Sequence, residues 1–199
     1  MLEFFKKLFK PDEATQVNVP SKELSMFCNQ CEQTAKGIGC DKIGVCGKKA
    51  DVAALQDLTV YALRGLALAA LKKGDSSNNL GHFTAKMLFT TLTNVNFAPE
   101  DFQKYINEIV AHRKALDVHF QSGPGAFEPA ETLEGLIAQG ETHSTKDFDT
   151  NPDVLSAKQL LLYGMKGLCA YADHAAVLGQ QDYSVYHFVY TGLAAGYDG

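Results

Sequence analysis

The chain has no apolar run of the roughly 20 residues that cross a bilayer. Its longest candidate, Val52 to Leu71, is interrupted by Gln56, Asp57 and Arg64, so no transmembrane segment is expected. It also lacks an excess of positive charge: 18 Lys and Arg stand against 23 Asp and Glu, a formal net charge of −5. No global field draws such a chain toward nucleic acid or anionic lipid, and nucleic acid is not an expected partner. The opening Met1-Leu-Glu-Phe-Phe-Lys-Lys-Leu-Phe-Lys10 has too short an apolar stretch for a signal peptide and no small-residue cleavage site. The expected location is therefore the cytoplasm. No glycine-rich phosphate loop, no Gly-x-Ser-x-Gly elbow and no His-Glu-x-x-His pair occurs, which leaves nucleotide, hydrolase and zinc-protease chemistry without support. Strand patterning is missing as well, because Asn94-Val-Asn-Phe97 is too short and too polar to count.

At 199 residues and 46% hydrophobic composition, the chain can fill one real core or two small helical units sharing an interface. Residues 1–10 set Leu2, Phe4, Phe5, Leu8 and Phe9 against Lys6, Lys7 and Lys10, the pattern of a short amphipathic helix ending at Pro11. Residues 11–25 are polar and read as a linker. From Ala50, apolar residues at 55, 58, 62, 66 and 69 recur at three- and four-residue steps until Gly74, which predicts a helix. A second is expected from about Leu80 to Leu92, and a third from Pro99 to about Phe120. Residues 121–152, rich in Gly and Pro, read as a boundary containing one short helix near Glu131 to Gln139. Asn151-Pro152-Asp153 then spells a helix start. The broad apolar surface that follows, from Leu155 to Leu178, predicts a central, well-buried helix. A last helix is expected from about Asp182 to Ala195. The fold class is all-α with one irregular cysteine loop.

That loop holds the chemistry. Four of the five cysteines lie within 19 residues, spaced Cys28-x2-Cys31-x8-Cys40-x5-Cys46 among Gly37, Gly39, Gly44 and Gly47. In a chain without an export signal, clustered thiols are more often ligands or redox groups than disulfides. A Cys-x2-Cys hook alone admits a zinc site, a thioredoxin-like dithiol or an iron–sulfur cluster. A dithiol needs only two thiols and a βαβ setting that is missing here. Zinc knuckles usually present two short hooks, whereas the second pair here is five residues apart with no histidine nearby. One tight hook plus two spaced ligands suits the larger cubane, and the spacing favours iron. Glycines permit the sharp turns that aim amides at sulfur. Lys36, Lys42, Lys48 and Lys49 read equally well as tuning charges or as a solvated loop surface. Cys169, on the apolar stretch around Leu168, reads as a core residue and not a ligand. The six histidines show no paired metal spacing.

The segment Met26-Phe-Cys-Asn-Gln-Cys-Glu-Gln-Thr-Ala-Lys-Gly-Ile-Gly-Cys-Asp-Lys-Ile-Gly-Val-Cys-Gly-Lys48 resembles the opening of the hybrid-cluster proteins, also called prismane proteins or hydroxylamine reductases. The likeness continues through Leu55-Gln-Asp-Leu58, Thr91-Leu-Thr-Asn-Val-Asn-Phe97 and Leu162-Tyr-Gly-Met-Lys-Gly-Leu-Cys-Ala-Tyr-Ala-Asp-His-Ala-Ala-Val-Leu-Gly179. The resemblance implies two bundles of the three-helix type, the second incomplete here. It also implies a [4Fe-4S] cluster on Cys28, Cys31, Cys40 and Cys46. The corresponding division is an extension and linker over 1–25, the cysteine loop and first bundle over 26–121, and a loop region with a truncated second bundle over 122–199. Family members are much longer, and the later domains that ligate their hybrid cluster are not in this sequence. The implied role is electron relay through the cluster, with no catalytic residue on this chain and no hydroxylamine reduction by it alone. The implied partner is a redox protein or the missing hybrid-cluster domains, and the exposed flank of an incomplete bundle allows a homo-oligomer. A redox or oxygen sensor, or a structural zinc scaffold, are the alternatives.

Overall fold

The computed structural model describes residues 24–195. The amphipathic reading of residues 1–10 lies outside them, as does the linker reading of 11–25 save for its last two residues. Among the described residues, six α-helices follow an irregular loop: α1 (Ala50–Lys73), α2 (Asn78–Thr90), α3 (Pro99–Ala115), α4 (Leu133–Thr142), α5 (Pro152–Val177) and α6 (Tyr183–Ala194). The described residues contain no strand, only an isolated antiparallel bridge between Cys28 and Cys40. The all-α class read from periodicity is the observed one.

Helix ends follow local chemistry. The Ser77 hydroxyl accepts from the Leu80 amide, Thr132 caps α4 through Gly135 N–H, and the Asn151 side chain accepts from the amides of Asp153 and Val154. Pro99 and Pro152 occupy first-turn positions, where a missing N–H removes no helical bond. Gly74 closes α1 at φ +70°, a left-handed conformation that other residues adopt only with strain. The third helix stops at Ala115, five residues before the predicted Phe120. Asp117 sits at φ +53°, and that left-handed turn ends the helical path.

The central helix is α1. It packs against α3, α4 and α6, while α2 lies mainly against α5 and α6. The helices thus form two groups of three, α1/α3/α4 and α2/α5/α6, joined where α6 meets α1. Phe102, Ile106 and Ile109 of α3 are fully buried against this core, as are Leu55, Leu58 and Leu66 of α1. Each such side chain contributes roughly 1.5–3 kcal/mol relative to exposure. By length and composition α1 could cross a membrane, which the polar interruptions had been expected to forbid. Nearly all of it is instead enclosed by the other helices. Its polar residues have partners inside the fold: Gln56 donates to the Asn96 carbonyl, the Arg64 guanidinium lies 3.6 Å from the Phe148 ring centre, and Asp57 accepts from Ser144 and Thr145. Those partners make it the core helix of a helical protein.

The central position predicted for α5 is therefore corrected. Of its 26 residues only Leu162, Met165, Lys166 and Cys169 are buried. Leu160, Tyr171, Val177 and Leu178 are 72–79% exposed. The outward faces of α5 and α6 border a groove of about 470 Å³ lined by Leu168, Tyr171, Ala172, Val185 and Tyr186. Wide apolar coverage on this helix reflects an inner face in the core and an outer face that no described residue covers.

Candidate functional site

Residues 24–49 form the irregular loop that the glycine and cysteine pattern indicates. Two stretches of it are tied by the reciprocal backbone pair at Cys28 and Cys40. The Cys28 amide donates to the Cys40 carbonyl at 3.1 Å, and the Cys40 amide to the Cys28 carbonyl at 2.8 Å. The first hook is closed by Thr34, whose amide and hydroxyl both donate to the Cys31 carbonyl. The last turn is closed by Gly44 N–H to the Lys48 carbonyl and Gly47 N–H to the Gly44 carbonyl, both 2.8 Å. Gly47 takes φ +89°, and a Cβ on Gly44 would stand 3.0 Å from Cys46 Sγ and 3.0 Å from Lys48 Cβ. Glycine at these two positions lets Cys46 fold back toward the other sulfurs.

The loop is fastened to the helices at both ends. Met26 and Cys40 pack on Ala53 of α1. Asn29 Nδ2 donates to Gln159 Oε1 of α5 at 3.0 Å, and the Ser25 amide donates to Glu141 of α4. Both helical groups therefore position it.

Cys28, Cys31, Cys40 and Cys46 line a single narrow, partly enclosed cavity, shared with Gln30, Gly44, Val45, Lys48 and Thr93. All five cysteines are free thiols. The four cysteines line one cavity without forming a closed single-ion site. Among the described residues, no three His, Cys, Asp or Glu side chains converge closely enough for a single metal ion. The fifth thiol, Cys169, is fully buried elsewhere in the core, and burial pushes its pKa up to about 12. It has no part in the cavity.

The electrostatics of the cavity favour anionic sulfur. Burial works against the Cys46 thiolate, but the Lys48 amide, the Thr93 hydroxyl and the Lys48 charge outweigh it and hold its pKa below the ordinary value. Of the four lysines in the loop, Lys36, Lys42 and Lys49 are exposed, whereas Lys48 is only 3% exposed. Its Nζ donates to Cys28 Sγ at 3.5 Å. The two readings of these lysines divide accordingly: three are solvated and one faces sulfur. Gln30 is buried beside the cavity, and its Oε1 has no hydrogen-bond partner. Four free thiols, a buried ammonium and a glycine cradle that a methyl group would fill make a donor set suited to a thiolate-ligated metal group.

Three contributors were not identified from the sequence. Thr93 reaches the cavity from the α2–α3 connection. Asp57 of α1 and Lys166 of α5 lie buried close behind it and interact electrostatically with Lys48. The available signal was a lone ionisable residue inside an apolar helical stretch, Asp57 within Leu55-Gln-Asp-Leu58 and Lys166 within Leu162 to Cys169. Such residues are retained in a core only where a partner waits for them.

An all-helical protein carrying a four-cysteine loop over the start of its core helix is the class that fold and site define. Residues 26–198 match the prismane/CO dehydrogenase family, and the chain belongs to it. It is 55% identical over 179 residues to a hydroxylamine reductase of Solidesulfovibrio magneticus, covering 85% of this chain and 33% of that protein. It is 51% identical over 183 residues to a hydroxylamine reductase of Syntrophobacter fumaroxidans and 46% identical over 184 residues to one of Methanocella arvoryzae. Each of those two matches covers 85% of this chain and 34% of the relative. The chain thus spans about a third of the length of the curated relatives it matches.

Proposed function

We propose that this chain is an electron-relay unit in which Cys28, Cys31, Cys40 and Cys46 hold a [4Fe-4S] cluster. The observation that carries the reading is the shared cavity. Cysteines from three separate turns of the loop line one space, with a buried lysine against one of the sulfurs. A [4Fe-4S] cluster bound there would supply a one-electron donor and acceptor. Four cysteines cap four irons and leave no open coordination position, so the site suits transfer of electrons and not activation of a substrate. The protein's own part is to hold the thiolates, to face them with Lys48 and Thr93, and to shield them behind Gln30 and Met26. A reducing, cytoplasmic setting keeps the thiols available as ligands.

The relatives' names attach hydroxylamine reduction to proteins three times as long. In our reading this chain contributes the relay, and the polypeptide corresponding to their remaining length contributes the reducing centre. The outward face of α5 and α6, with Leu160, Tyr171, Val177 and Leu178 exposed, is where that polypeptide would dock.

The test is a pair of cysteine variants reconstituted anaerobically with iron and sulfide. Cys40→Ala should lose the visible absorbance and most of the bound iron and sulfide, while Cys169→Ala should keep both. Full retention of iron and sulfide by Cys40→Ala would overturn the assignment.

A further inference from the structure

Lys48 and Lys166 lie far apart in the sequence, yet both are almost completely buried, 3% and 2% exposed, and stand within electrostatic reach of each other. Lys48 Nζ donates to Cys28 Sγ, and Lys166 Nζ makes a long 3.5 Å contact with the Thr91 carbonyl. Thr91 belongs to the same α2–α3 connection that brings Thr93 to the cavity. Behind them stands Asp57, also buried. Its Oδ2 accepts from the Ser144 hydroxyl at 2.9 Å and from the Thr145 amide at 3.0 Å.

The charges in this group do not cancel. Buried ammonium groups are costly without a counter-charge, and two within electrostatic reach of each other raise that cost. The ionisable groups acting on Lys166 are Lys48, which opposes its charge, and Asp57 and Cys28, which favour it. Burial and Lys48 bring its pKa down to about 8, and an anionic group in the cavity would raise it again. One carboxylate stands against two lysines. The surplus positive charge acts on Cys28 and, through Lys48, on Cys46, and a neutral thiol cannot balance it. A cluster ligated by four thiolates is a net anion in either oxidation state, and it becomes more negative by one charge when reduced.

We propose that Lys166, together with Lys48, is a potential-setting residue: a buried cation held behind the cysteine cavity that favours the reduced, more anionic cluster. The inference rests on the cluster reading above. Lys166 is not among the residues that line the cavity, so it acts through the field and is a positioning residue, not a ligand. Its position on α5 also makes the potential depend on how the α2/α5/α6 group sits against the loop.

The experiment is an anaerobic redox titration of the cluster-loaded protein, followed by electron paramagnetic resonance, for the native chain, Lys166→Gln and Lys166→Arg. Glutamine keeps a donor for the Thr91 carbonyl and removes the charge, while arginine keeps the charge. Lys166→Gln should titrate at a more negative potential, with the equilibrium constant for reduction lower by tenfold or more, about 59 mV for one electron. Lys166→Arg should stay near the native value. An unchanged potential in Lys166→Gln at full iron and sulfide content overturns the proposal, as does an equal shift in both variants. If Lys166→Gln fails to fold, Lys166→Met, which fills a similar volume without the charge, must shift negative in its place. Absence of iron and sulfide from the native chain would refute the cluster reading itself, and is distinguished from this proposal at the first step.

Discussion

Gly140 lies near the end of α4, where that helix crosses α1 directly beneath the cysteine loop. A Cβ built there would stand 2.2 Å from the Ala54 carbonyl oxygen and 2.6 Å from its carbon. Both are backbone atoms, so no side chain can rotate aside. Two effects oppose each other in Gly140→Ala. Alanine is a better helix former than glycine by about 0.8–1 kcal/mol. Against that, α4 must retreat by about 1 Å from a well-packed neighbour, and overpacking of this kind costs about 1–3 kcal/mol. It also pulls the segment carrying Ser144 and Thr145 away from Asp57. The clash wins, with a net loss of about 1 kcal/mol, or about 2–4 °C in Tm for a chain of this size. Gly164 and Gly167 of α5 are the internal control, because a Cβ at either meets nothing within 4 Å. Gly164→Ala should gain up to about 1 kcal/mol. Thermal and urea unfolding of the three proteins in parallel checks the signs. If Gly140→Ala is as stable as the native chain, α4 does not lie on the Ala54 backbone. If Gly164→Ala is the one that loses stability, the outer face of α5 is not open.

Asp57→Ala removes the acceptor of the buried Thr145 amide and the counter-charge of Lys166. Breaking a buried charged network from one side costs about 3–5 kcal/mol, and Asp57→Asn, which keeps an acceptor, should cost less. Urea denaturation of both variants ranks them, and equal stability of Asp57→Ala and the native chain would contradict the network. His143 stacks on Tyr61 with ring centres 3.8 Å apart, and burial lowers its pKa from the ordinary 6.5. In acid the unfolded chain therefore takes up this proton before the folded one. Its contribution to stability is complete above pH 6.5, falls as pH drops below that value, and levels off below the folded pKa. Urea midpoints at pH 7.5 and 5.5 should diverge less in His143→Phe than in the native chain, and an identical divergence would remove His143 as the cause.

The elements were legible where a local rule fixes them. Asn151-Pro152 and Pro99 mark helix starts by capping and first-turn chemistry, and Gly74 marks an end. The loop over the four cysteines was legible from its glycines, since no helical or strand period survives there. What periodicity could not convey is which helix lies at the centre. Apolar residues on three sides of α5 were read as burial, although a face can be apolar and still have no neighbour among the described residues, as Tyr171 and Leu178 show. The polar residues of α1, which interrupt its apolar run, meet groups far along the chain, at Asn96, Ser144, Thr145 and Phe148. Lys166 was hidden for the same reason. Its role depends on a lysine and a carboxylate from two other elements, and no spacing within α5 encodes that meeting.

The central claim is that four loop sulfurs share one iron–sulfur group, and metal and sulfide analysis of the anaerobically purified chain, with electron paramagnetic resonance after reduction, tests it most directly. The account predicts about four irons and about four sulfides per chain and a signal from a one-electron-reduced cubane. One zinc per chain, or iron without acid-labile sulfide, would contradict it.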